Sequence, residues 1–233
     1  MAVPTVILMA MPTLPPPMPT DAQLLTLAQW FSPAYPVGAF SYSHGLEWAV
    51  TSGGVNTAAE LRNWVATVLD HGGGRSDALF LAAAYHSIDA DAAKQIDAEC
   101  RAFAPAQERL QETDLQGAAF CQITNAVWPQ TDIDALTLPV AAGRAARICD
   151  MPVGTTSAFY LHSFASNLVA AGQRLAPIGQ SAAQVIVNEL APLCHDIAAQ
   201  TADGDLSRLS STSFLADIAA MKHETQHSRI FRT

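Results

Sequence analysis

The chain has 233 residues, of which 50% are apolar and 14% charged, with a formal net charge of −9. That length and apolar share suit one large or two small globular domains and exclude an intrinsically disordered chain. The acidic balance lacks the basic face that a nucleic-acid binder needs.

Met1 to Thr20 carries six prolines and no charge, a composition that makes neither a normal helix nor a strand. It reads as a flexible leader over residues 1–20. Its apolar run Val6-Ile-Leu-Met-Ala-Met11 is too short to span a bilayer and lacks the basic start of a signal peptide. No later apolar run is long enough to cross a membrane, so the expectation is a soluble, cytoplasmic protein. Cys100, Cys121, Cys149 and Cys194 are widely spaced with no Cys-x-x-Cys pair, which predicts apolar core residues of a reducing compartment.

From Asp21 onward the pattern is helical almost throughout. Asp21 is placed to cap a helix carrying Leu24, Leu27, Ala28 and Phe31 on one side. The segment Ser32-Pro-Ala-Tyr-Pro-Val-Gly-Ala-Phe-Ser-Tyr-Ser-His-Gly-Leu-Glu47 then concentrates prolines, glycines and aromatics in a constrained turn. Ser41 is placed to cap a helix beginning near Tyr42. Thr57-Ala-Ala-Glu60 has the capping-box pattern, with Leu61, Trp64, Val65, Val68 and Leu69 following at helical steps until Gly72-Gly-Gly74. Further helices are predicted from about Asp77 to Ser87, from about Asp91 to Phe103, and from Pro105 to about Val127. Leu161, Phe164, Leu168 and Leu175 share one face of another. Ile186, Leu190, Leu193, Cys194 and Ile197 share a face of the next, with Ser181-Ala-Ala-Gln184 as its capping box. Phe214, Ile218 and Met221 lead the last helix. No alternating run makes a strand. The reading is an all-α, single-domain bundle of roughly nine to ten helices over residues 21–233, with no internal repeat or linker.

Two motifs bear on chemistry. His223-Glu-Thr-Gln-His227 matches H-E-x-x-H, which in a metalloprotease places two zinc-binding histidines one helical turn apart. A catalytic zinc takes a third protein ligand, and Ser228 to Thr233 supplies none. The pattern leaves a zinc-dependent hydrolase using His223, Glu224 and His227 as a remote alternative and a weak nickel-binding carrier using His223 and His227 as another, while the main expectation is that catalytic residues and cofactors are absent. Ser41 and Ser43 beside His44 lie on no G-x-S-x-G elbow, and no phosphate loop is present. The second motif is the tail itself. Lys222, Arg229 and Arg232 make it positive in an acidic chain, and Ile230 and Phe231 add an apolar tip suited to docking.

Three well-separated blocks carry a resemblance: the turn Ser32 to Glu47, the segment Ser166-Asn-Leu-Val-Ala-Ala-Gly-Gln-Arg-Leu-Ala-Pro-Ile-Gly-Gln180, and the tail from Asp217 to Arg232. Together they resemble the urease accessory protein UreF family. The resemblance implies an all-α, non-enzymatic protein that forms dimers and binds the accessory protein UreD (also called UreH). It implies recruitment of the GTPase UreG and nickel insertion into apo-urease, with this protein shaping how GTP hydrolysis is coupled to delivery. Carried onto this sequence, it marks Pro36, Gly38, Ser41, Tyr42, Gly45 and Glu47 as an N-terminal functional surface. It marks His223, Glu224, Thr225, Gln226, Ser228, Arg229, Phe231 and Arg232 as a tail surface facing UreD. Two departures stand out. His227 occupies a place where the family usually has tyrosine. Leu115-Gln-Gly-Ala-Ala-Phe120 lacks the arginine of the family's Met-Gly-Arg-Ser.

Overall fold

A computed structural model describes residues 18–232. Apart from its last three residues, the expected leader lies outside the described residues. Among these, the chain forms ten α-helices and no strand: α1 Asp21–Trp30, α2 Leu46–Thr51, α3 Ala58–His71, α4 Gly73–His86, α5 Ala90–Phe103, α6 Gln107–Val127, α7 Leu138–Ile148, α8 Val153–Leu175, α9 Gln180–Thr201 and α10 Phe214–His223. The all-α expectation holds. No helix among them is long and apolar enough to cross a membrane.

Several caps differ from expectation, each for a local reason. Thr20, and not Asp21, caps α1, and Gln23 closes the reciprocal box by accepting from the Thr20 N–H. The Thr57–Glu60 box forms as expected at α3. The Ser181–Gln184 box does not, because α9 has already begun at Gln180 behind the extended Gly179. The glycine run breaks the helix only at Gly72, so α4 starts four residues earlier than its apolar pattern suggested.

The helix α7 is the element that the apolar periodicity did not announce. Ala141, Ala142, Ala145 and Ala146 are all buried in it, while Arg144 is half-buried and Arg147 exposed on its outer side. Small residues let its backbone meet that of α4: a Cβ on Gly143 would overlap the Leu81 carbonyl oxygen. The two helices form the centre of the body, with α6, α8, α3 and α9 packed around them. Trp30, Phe80 and Phe120 are fully buried, each contributing roughly 1.5–3 kcal/mol of apolar burial. Trp30 stacks edge-on against Phe120 and Trp128 at 5.6 and 5.5 Å between ring centres, which fixes α1 over α6. That docking decides where the following turn can go. Cys100, Cys121 and Cys194 are buried as expected, whereas Cys149 is half-buried, and all four thiols are free. Burial pushes the thiol of Cys100 up to about 12 and that of Cys194 to about 11, well away from reactivity.

Candidate interaction site

Between α1 and α2 the chain makes three left-handed excursions, at Gly38 (φ 74°), His44 (φ 53°) and Gly45 (φ 75°). Glycine adopts this region freely; His44 does so against its Cβ and needs outside support. Residues Ala39–Ser41 form a single 3-10 turn, so α2 starts at Leu46 and not near Tyr42. Ser41 is accordingly not its cap. Gly45 at the N-cap has no side chain, and Ser43 Oγ accepts from the Glu47 N–H at 3.3 Å.

Gly45 is also where the turn meets the last helix. A Cβ there would overlap the Ala220 backbone nitrogen and lie 2.7 Å from the Ala219 carbonyl carbon. With α10 pressed this close to α2, the tail runs back over the turn. The buried Glu47 accepts from the backbone N–H groups of Ile230 at 2.7 Å and Phe231 at 2.8 Å. Its Oε2 also faces His223 Nε2 at 3.2 Å, while His223 Nδ1 faces Glu108 Oε2 at 2.7 Å. Arg229 donates to the other Glu108 oxygen at 2.7 Å. The buried imidazole thus lies between two carboxylates, one at each ring nitrogen, with Arg229 as a further partner of Glu108. Glu224 turns the other way and caps α6, accepting from Gln107 N at 2.8 Å and Glu108 N at 3.4 Å. It replaces the missing cap at Ala106.

This geometry counts against the zinc alternative. The helix α10 ends at His223, so His227 is not one turn along the same helix face; it lies exposed beyond it. Both His223 nitrogens are engaged by carboxylates, and Glu224 is occupied as a helix cap. Neither a metal-bridging histidine pair nor a free general base is left in H-E-x-x-H.

The tail tip closes the surface. The Arg232 N–H donates to the Ser41 carbonyl at 2.8 Å, and its side chain hydrogen-bonds Tyr42. Phe231 is buried under the Arg174 guanidinium, 4.3 Å from ring centre to Cζ, and Arg174 donates to the Phe40 carbonyl at 2.8 Å. Of the fourteen residues singled out from the turn and tail, Tyr42, Gly45, Glu47, His223 and Phe231 are buried within the chain itself. Gly38, Ser41 and Gln226 are half-exposed, and Pro36, Glu224, Thr225, Ser228, Arg229 and Arg232 are exposed. The two segments, far apart in sequence, are one structure: the buried members hold it and the exposed members face outward.

Under the turn lies a second polar cluster. His44 Nε2 is 2.8 Å from Glu112 Oε1, Arg109 pairs with Glu112 and lies 2.8 Å from His44, and Gln116 donates to Glu112 at 2.9 Å. The Phe164 ring meets the His44 ring edge-on at 4.6 Å. These contacts supply the support that the left-handed His44 backbone needs. Burial alone would raise the Glu112 carboxyl, but Arg109 and His44 together hold it at about 2. A crevice of about 750 Å³ opens beside the turn, walled by Trp30, Phe31, Tyr35, Phe40, Tyr42 and Phe164. Farther along, α10 presents Phe214, Leu215, Ile218 and Met221 to solvent.

Reasoning from sequence missed Glu108, Arg109, Glu112 and Arg174. The first three stand in Glu108-Arg-Leu-Gln-Glu112, where i, i+4 carboxylates look the same as a solvated helix face.

Comparison with known proteins gives a consistent result. A model of the UreF family matches residues 55–191. The chain is 53% identical over 215 residues to the urease accessory protein UreF of Ruegeria pomeroyi, covering 92% of this chain and 99% of that one. It is 47% identical over 216 residues to the UreF of Roseobacter denitrificans, with 93% and 96% covered. To that of Rhodopseudomonas palustris it is 40% identical over 224 residues, with 91% and 92% covered.

Proposed function

The chain belongs to the UreF family of urease accessory proteins, and from that premise we propose that it works as a non-catalytic scaffold in nickel insertion into apo-urease. Its role is in urease maturation, as an accessory and not as the catalyst. In this proposal the paired turn and tail bind a UreD/UreH-type partner. The resulting complex recruits the UreG GTPase, biases how GTP hydrolysis is coupled to metal delivery, and docks on urease. The protein acts as a cytoplasmic homodimer whose folded unit spans residues 21–233.

The observation that supports this reading is the convergence of turn and tail on Glu47. A buried carboxylate that accepts two backbone N–H groups and faces an imidazole preorganises the residues around it. Pro36, Thr225, Ser228 and Arg232 are thereby presented outward on a fixed frame.

The test is a pull-down from cells expressing the urease operon, comparing intact protein, a form lacking Ser228–Thr233, and Ser228→Arg. Ser228 is exposed, so its substitution leaves Glu47 and Glu108 undisturbed. Loss of the UreD-type partner in both altered forms, with circular dichroism unchanged for Ser228→Arg, is the expected result. Full partner recovery with the truncated form would overturn the scaffold surface proposed here.

A further inference from the structure

Two large apolar side chains project from the turn-and-tail surface, one from each segment. Phe40 is 71% exposed and Ile230 64% exposed. Single exposed apolar residues are ordinary on a protein surface and by themselves mean little. These two differ in how firmly their backbones are held. The Phe40 carbonyl accepts from Arg174 at 2.8 Å, and the Ile230 N–H donates to the buried Glu47 at 2.7 Å. The next carbonyl along the turn, that of Ser41, accepts from the Arg232 N–H at 2.8 Å, which ties the two segments together. Phe231 shows the contrast with its neighbour: it fills a seat in its own chain, and Ile230 fills none. A buried carboxylate and an arginine thus fix backbone whose side chains stand in solvent, and such preset projections lose little freedom on binding.

The outward charge around them has one sign. Arg174, Arg229 and Arg232 are all exposed there, in a chain with 12 Lys and Arg against 21 Asp and Glu. The carboxylates beneath, Glu47, Glu108 and Glu112, are buried. Arg229 pairs with Glu108, whereas Arg174 and Arg232 form no ion pair among the described residues. Arg174 meets a backbone carbonyl and the Phe231 ring, and Arg232 meets Tyr42. Glu224, the exposed carboxylate of the tail, is engaged as the cap of α6. A local excess of cations on an acidic chain favours a partner that brings carboxylates.

We propose that this surface receives an acidic protein face, with Phe40 and Ile230 entering apolar recesses of that face and Arg174, Arg229 and Arg232 meeting its carboxylates. Aromatic and arginine side chains are the types that dominate binding in protein–protein contacts. Nucleic acid and anionic membranes recruit longer basic runs than three arginines, and a net charge of −9 repels them. The inference rests on the reading of turn and tail as the surface for the UreD/UreH-type partner, and gives the chemistry that the partner must offer there.

The test immobilises the full chain, binds the purified UreD/UreH-type partner, and elutes it with NaCl from about 50 to 500 mM. Wild-type retention should fall steeply with salt. Phe40→Ser and Ile230→Ser should each weaken the partner's affinity about tenfold, with thermal midpoints unchanged because both side chains are exposed. Arg232→Glu should weaken it at least as much and flatten the salt dependence. Salt-independent retention by the wild type would overturn the acidic face, and wild-type affinity in both serine variants would overturn the anchors. The two anchors lie on different segments, so misfolding of one variant leaves the other to decide. Phosphatidylglycerol vesicles and a thymidine oligonucleotide are run in parallel, and retention of either as tight as that of the partner overturns the choice of a protein. The form lacking Ser228–Thr233 separates this inference from the scaffold reading. If that form loses the partner while salt and the serine variants have no effect, the inference falls and the scaffold surface stands.

Discussion

Glu47 shows how much one side chain can carry. Itself buried, it accepts from two backbone N–H groups of the tail and faces the buried His223. Replacing it with Ala leaves those N–H groups and one ring nitrogen of His223 without their hydrogen-bond partner, so a loss of ~3 kcal/mol in urea unfolding is expected. The tail should also become the first site of limited proteolysis. Glu112 makes a prediction in pH. Its carboxyl titrates lower in the folded chain than in the unfolded one, so the stability it contributes is present above about pH 4.5. That contribution is lost as pH falls toward the folded value of about 2. Glu112→Gln should abolish ~3 kcal/mol of this acid dependence, read from denaturation midpoints between pH 2 and 5. Asp77 has the opposite sign. Its folded value is raised, so its contribution is full below the unfolded value of 3.8 and is lost as pH rises through about 6. Asp77→Asn should therefore stabilise the protein at pH 7 by ~1–2 kcal/mol, the carboxyl being only partly buried.

At the scale of elements, the two glycines of the turn are not equivalent. Gly38 opens onto free space, so Gly38→Ala meets only the left-handed backbone penalty, about 1 kcal/mol. Gly45→Ala meets that penalty and the backbone of α10 as well, which cannot swing aside as a side chain can. A cost of 3 kcal/mol or more is expected, with the tail loosened, as measured by thermal unfolding. Sequence pattern had ranked the two alike, because both show only as glycines in a turn. It located α3, α5, α6, α8 and α9 well, since each has one wet face and one dry one; α10 was placed from Phe214, Ile218 and Met221, which in the structure face solvent. It passed over α7, whose buried face is made largely of alanine and glycine, small residues that mark a dry face only faintly although Arg144 and Arg147 mark the wet one. It placed the cap of α2 four residues early, at Ser41 and not Gly45, because a serine signals capacity to cap and not the backbone geometry that brings it into range.

At the scale of the whole molecule, what escaped the sequence was pairing. Turn and tail were each visible as unusual segments, but nothing in the residue types of Glu47 says that it meets Ile230 and Phe231, some 183 and 184 positions away. The tail looked like an anchor for another protein; Phe231 is in fact seated in its own chain, under Arg174. Phe231→Ala should therefore lower the stability of the isolated protein by ~3 kcal/mol in thermal or urea unfolding, before any partner is added. An unchanged midpoint would mean that its seat is empty in solution.

The seam between α4 and α7 has one more consequence. Where backbone lies on backbone there is little void to squeeze out, and hydrostatic compression acts chiefly on voids. Under a few kilobar, amide resonances along Gly143 and Leu81 should hardly shift, whereas those bordering the open aromatic crevice, Phe31 to His44, should drift. Mechanical softness would thus be confined to the rim that we propose meets other proteins, around a stiff axle.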